Sequence, residues 1–206
     1  MSLPHLPGDR YVLNVRTFPE GNLQVNFTWH ADACEFLLDQ ASLYAGRVTA
    51  FHATLAEHTA ANGRRILHEL HWKADSDEHG LQAFVRDSVR ADLVRQLLEA
   101  VEEQLRTHAG TTSPVVRAEW GWDYDSDGPR LDDLPCHVRL ADGTKLDDAY
   151  DVMDTCLYAV SDRFLLAGLL GLSTDKDLVV CRERNGAIIT SADPGFVEEP
   201  TLKASA

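Results

Sequence analysis

Over the first 124 residues the apolar side chains switch repeatedly between a period of two and a period near 3.6, and this switching limits the fold more than any single motif. Tyr11, Leu13 and Val15 alternate with Val12, Asn14 and Arg16, and after Pro19-Glu20-Gly21 the alternation resumes with Leu23, Val25, Phe27 and Trp29. A period of two means one buried and one wet face, so this stretch is predicted as a hairpin of an antiparallel sheet. From Asp32 to Ala61 the spacing changes. Leu37, Ala41, Tyr44, Val48, Phe51 and Leu55 fall at helical intervals, predicting a helix capped by Asp32, stopped at Asn62-Gly63 and bent at Gly46.

Ile66, His68, Leu70 and Trp72 then predict a strand. Val85, Val89, Leu93, Leu97, Val101 and Leu105 predict a second long helix over 78–108. Val116, Ala118, Trp120, Trp122 and Tyr124 predict a further strand. The order is β-β-α-β-α-β, and elements that are each apolar on one side pack as an antiparallel or mixed sheet with two long helices on one face. The expected class is therefore α+β. Residues 1–124 are read as the main layer and 125–206 as a smaller α/β portion on the same core, giving a single domain overall. Within that portion a strand is expected over 135–140 with a turn at Asp142-Gly143, and a helix over 147–160. The run Phe164–Leu172 is buried but of undecided type, and a hairpin is expected over 178–191 around Arg184-Asn185-Gly186.

Composition enters through charge. The chain holds 19 basic and 33 acidic side chains, a formal charge of −14. Phosphate-backbone binding depends on clustered Lys and Arg, so nucleic acid is excluded as a partner. More than half of the net charge falls within residues 119–154, which hold 3 basic and 11 acidic side chains. Such a segment attracts cations or a basic protein surface. No apolar run approaches the length of a membrane span, and the first residues carry no signal-peptide pattern, so a cytoplasmic protein is expected.

The most specific motif is Asp123-Tyr124-Asp125-Ser126-Asp127-Gly128, the first half of a calcium loop. Carboxylates at alternate positions can converge on one hard cation, calcium or magnesium, but Leu134 stands where the full loop needs a bidentate Glu. His68-Glu69-Leu70-His71 is one residue short of H-E-x-x-H, and on a strand its two histidines point to opposite faces. Cys34, Cys136, Cys156 and Cys181 form no C-x-x-C pair and read as buried thiols.

With no complete catalytic motif, the chain reads as a non-enzymatic acidic interaction protein of the immunity, inhibitor or adaptor type. It would meet a basic protein partner through the acidic 119–154 segment, with Asp132, Asp133, Trp120 and Trp122 as the contact residues, although rings such as Trp120 and Trp122 on one strand face more often serve a core or a subunit interface. The alternative is a metal-dependent hydrolase or calcium-binding protein using Asp123, Asp125 and Asp127. The long helices also allow a homo-oligomer.

Overall fold

The computed structural model describes residues 10–59, 63–75, 80–125, 128–132, 134–147, 163–172, 176–194 and 196. Its architecture is α+β with antiparallel sheets, and the chain divides into two compact units, residues 1–93 and 94–206. The division falls within a helix, well before the expected boundary after Tyr124. Among the described residues no helix is long and apolar enough to cross a membrane.

The first unit contains β1 (Tyr11–Phe18), β2 (Gly21–Phe27), α1 (His30–Tyr44), β3 (Ala50–Thr59) and β4 (Gly63–Lys73). Its sheet runs in the order β2-β1-β3-β4, with every neighbouring pair antiparallel. Tyr11, Leu13 and Val15 are buried as their alternation predicts, and the β1–β2 register follows the two-residue turn before Gly21. Trp29 departs from the expected face. The strand ends at Phe27, and Trp29 is an extended N-cap residue with its ring 69% exposed, so the helix starts at His30. Asp32 therefore sits in the first turn, where a carboxylate complements the helix dipole, instead of capping it.

The predicted 30-residue first helix is two elements. It stops at Tyr44, and Gly46 takes a φ of 72° that reverses the chain. The rest becomes β3, paired with β1 from Tyr11↔Glu57 to Phe18↔Ala50. The ambiguity is physical: Phe51 and Leu55 fit a helical stripe, yet Phe51, Ala53 and Leu55 also alternate, and all three are buried. Pairing with β1 decides it, and the Tyr44 and Phe51 rings then pack 6.4 Å apart across the break.

A bulge interrupts the β3–β4 ladder. Leu55 pairs with His68 and Ala56 with Ile66, leaving Leu67 as the extra residue. The two sides of the bulge consequently have opposite parity: Ile66 is 51% exposed, whereas His68, Leu70 and Trp72 are buried.

Helix α2 (Leu81–Ala109) begins in the first unit and ends in the second. Leu81, Val85, Val89 and Leu93, then Leu97, Val101 and Leu105, are all buried. The second unit then holds β5 (Val115–Trp120), β6 (Trp122–Asp125), β7 (Gly128–Leu131), β8 (His137–Leu140), β9 (Lys145–Asp147), α3 (Arg163–Leu170), β10 (Leu178–Arg182) and β11 (Ile188–Thr190). Strand β5 does not extend the first sheet; it is the centre of a second one, ordered β11-β10-β5-β8-β9, and β6-β7 is a separate hairpin. The expected 116–124 strand is thus cut at Gly121. The run at 164–172 resolves as helix, and the 178–191 hairpin forms as expected. Its turn closes where Asn185 Oδ1 accepts the Ala187 N–H at 2.7 Å and Gly186 takes a φ of 86°. The helix expected over 147–160 lies outside the described residues, apart from Asp147, which ends β9.

One carboxylate joins three elements of the second unit. Glu102 Oε1 on α2 accepts the Val115 N–H at 2.9 Å and Arg182 Nη1 at 2.7 Å. Glu102→Ala leaves the N–H of buried Val115 and the half-buried Arg182 guanidinium unmatched and should lower stability by about 2 kcal/mol. Glu102→Gln retains an acceptor oxygen and should lose about half as much. An unchanged stability of Glu102→Ala in urea unfolding would show that this bridge does not matter.

Candidate metal centre

The first unit buries three potential ligands on the inner side of its sheet. His30 and Cys34 are four residues apart on α1, hence one turn apart on the same face. That face carries the buried side chains His30, Ala33, Cys34, Leu37 and Ala41. His68 comes from β4, where it pairs with the inward Leu55 and shares a face with Leu70 and Trp72. Relative exposures are 8% for His30, 0% for Cys34 and 1% for His68.

Their donor atoms form a closed triangle. His30 Nε2 lies 3.3 Å from His68 Nε2, and Cys34 Sγ lies 3.5 Å from the first and 3.7 Å from the second. Zinc binds imidazole nitrogen at about 2.0–2.1 Å and thiolate sulfur at about 2.3 Å; tetrahedral angles then require N···N near about 3.4 Å and N···S near about 3.6 Å. All three edges fall within about 0.2 Å of those values. The two imidazole rings stack nearly parallel, 4° apart with centroids at 5.4 Å, and the Tyr11 ring lies 5.4 Å from His30 on the other side.

Asp92 on α2 fixes the chemistry of His68. Its Oδ2 lies 2.8 Å from His68 Nδ1. A carboxylate oxygen accepts, so Nδ1 carries the proton and Nε2 turns a lone pair into the triangle. This carboxylate–histidine arrangement orients metal-binding imidazoles and makes them better donors. Burial, with added repulsion from Asp92 and Glu35, pushes the Cys34 thiol up to about 12. A thiol held neutral by its surroundings is deprotonated outright once a divalent cation coordinates it, because the ion is then the largest local charge. Three protein ligands leave a fourth tetrahedral position for water or another ligand.

A second cluster, Glu119, Cys136 and His137, stands in the other unit. Its groups are already engaged. Glu119 pairs with Arg117 at 3.1 Å, the Cys136 thiol donates to the Glu119 carbonyl at 3.3 Å, and His137 meets Asp147 at 3.1 Å. With His137 also exposed, this cluster is a surface network and not a formed site.

The residues singled out by motif lie elsewhere. Asp123 and Asp125 are on β6, paired with Arg130 and Gly128, while Asp127 lies outside the described residues. Asp125 pairs with Gly128, so the described part of the D-x-D-x-D-G motif belongs to the β6–β7 hairpin. Asp132 is half-buried, its N–H donating to the Gly121 carbonyl at 2.9 Å, and Asp133 lies outside the described residues. Trp120 is fully buried, which corrects its expected place on a partner surface. Trp122 is half-buried and donates its indole N–H to the Lys176 carbonyl at 2.7 Å. Only Trp122 of the two rings therefore reaches solvent.

The H-x-x-x-C spacing of His30 and Cys34 was visible in the sequence, as was the inward parity of His68. Nothing in the sequence joined residues 34 positions apart into one cluster. Comparison with protein-family models, with curated proteins and with solved structures gives no match for this chain.

Proposed function

We propose that the first unit is a zinc-binding module in which His30 Nε2, Cys34 Sγ and His68 Nε2 hold the ion and Asp92 orients His68. The observation that carries this reading is the closure of three donor atoms from two elements to tetrahedral spacing. Two imidazoles and one thiolate suit zinc, whereas calcium and magnesium take oxygen ligands. The ligands are nearly excluded from solvent, which favours a centre that ties α1 to β4 and senses metal or oxidant over one that turns over a bulky substrate. The test is metal content and spectroscopy. Protein produced with zinc should retain about one ion per chain. Cobalt exchanged into it should give tetrahedral d–d bands and a thiolate charge-transfer band, both absent in Cys34→Ser. A protein that retains no zinc at micromolar concentration ends the reading.

The charge distribution supports a second role, docking a basic protein partner on the acidic segment 119–154. Its support is the balance of 3 basic against 11 acidic side chains there. A stoichiometric partner captured by the unmutated chain should be released by a variant with Asp125, Asp127, Asp132 and Asp133 changed to Asn. Retention by that variant would place the contact elsewhere.

A further inference from the structure

The geometry points to a second site on the open side of the first sheet, a cavity that we propose binds a phosphate-bearing small molecule with a hydrophilic body. Parity separates it from the metal centre: Leu13, Val15, Phe51 and Ala53 turn inward and are buried, while the alternate residues of β1, β3 and β4 line a cavity of about 540 Å³. That volume lies in the usual range for small-molecule sites, about 300–1,000 Å³. Such sites are mostly apolar, and this one is lined by polar side chains apart from Val12. Its occupant must therefore be polar.

The sign of the charge narrows the class. In a chain with 33 acidic side chains, the cavity gathers Arg16, Arg64, His52, His58 and His71 around a single carboxylate, Glu69. The ladder arranges them. Arg16 pairs with His52 and His52 with His71, so three nitrogen-bearing side chains form one row across three strands. Neighbouring strands lie about 4.8 Å apart, which sets the row at about 10 Å. The His52 and His71 rings meet edge to face at 4.6 Å. Among the described residues no carboxylate holds Arg16 or Arg64. An unengaged guanidinium presents a planar fork that matches phosphate oxygens two at a time, and the imidazoles beside it add single donors.

The next row supplies what the rest of such a ligand needs. Asn14 pairs with Gln24 on one side and Thr54 on the other, and Thr54 pairs with Glu69. These groups both donate to and accept from hydroxyls. Glu69 lies 3.4 Å from His71, at the boundary of the two rows. There it can accept from a hydroxyl, but it also repels the phosphate. A multiply charged strand such as RNA would meet the opposing field of a chain with formal charge −14, so a compact anion is favoured.

The test is titration calorimetry of the full zinc-loaded chain with inorganic pyrophosphate and with glucose 6-phosphate, using glucose as the uncharged control. Both phosphates should bind and glucose should not. Arg16→Gln and His52→Gln should each weaken binding about tenfold, the loss for a charge-assisted contact. Glu69→Gln should tighten pyrophosphate binding about threefold, a gain that loss of structure cannot produce. All three positions lie on the open face, so circular dichroism and zinc content should match the unmutated chain. Failure of both phosphates to bind below about 10 mM overturns the proposal. So does binding that is indifferent to Arg16→Gln and His52→Gln, or binding of an oligonucleotide alone. Each of these outcomes is independent of the zinc reading, because zinc content is measured on the same samples.

Discussion

Removing zinc from the loaded protein should lower its melting temperature by about 8–16 °C. The figure follows from linkage. A ligand present at about 1,000 times its dissociation constant stabilises the folded state by about 4 kcal/mol, and a chain of this size shifts by roughly 2–4 °C per kcal/mol. The triangle explains why the unfolded chain cannot compete. His30 and Cys34 share a helix turn, but His68 reaches them only when β4 is paired with β3 and α1 is seated. Cys34→Ser and His68→Gln should melt at nearly the same temperature with zinc and with chelator. Asp92→Ala should leave the three ligands in place and weaken zinc ten- to a hundredfold, as removal of an orienting carboxylate does elsewhere. Its melting temperature should then fall between the loaded and stripped values at limiting zinc, and approach the loaded value in excess. Differential scanning calorimetry at two zinc concentrations measures all of this. Equal melting temperatures for the unmutated chain with zinc and with chelator would sink the metal centre.

Much of this fold was legible because period and turn chemistry are local. The β1–β2 hairpin, the inward face of α2 and the Asn185-Gly186 turn follow from residues that are neighbours in sequence. Where local signals agreed with two answers, the long-range partner decided. Residues 48–55 carry a helical stripe and an alternating pattern at once, and pairing with β1 on one side and β4 on the other makes a strand from Ala50 onward. Trp29 fitted the apolar alternation of β2, yet the chain leaves the sheet at Phe27 and places His30 at the head of α1. That two-residue difference brings His30 onto the same helix face as Cys34, and the metal centre depends on it. The acidic motif is the opposite case. Its spacing is conspicuous in sequence and entirely local, and aspartate and glycine are residues that turns select as well as cation loops. The metal cluster shows only the short His30–Cys34 spacing in sequence, since its members come from α1, β4 and α2 and meet only through packing.

Deleting Leu67 should leave zinc binding intact although it shortens the strand that carries His68. Leu67 is the extra residue between the Ala56↔Ile66 and Leu55↔His68 pairs, so without it Ile66 directly precedes His68 and both pairs persist in one regular ladder. Neighbouring residues of a regular strand point to opposite faces, so Ile66 stays on the open side while His68, Leu70 and Trp72 stay inward. The deletion removes a side chain only 9% accessible together with the local kink and twist of the bulge, and should destabilise the chain by about 2–4 kcal/mol. Leu67→Ala is the control: it removes most of the same side chain, preserves the bulge and should cost about as much. Both variants should bind one zinc per chain with a tetrahedral cobalt spectrum. Zinc lost from a folded deletion variant but kept by Leu67→Ala would mean that the kink of the bulge, and not the pairing with Leu55, aims His68 at Cys34.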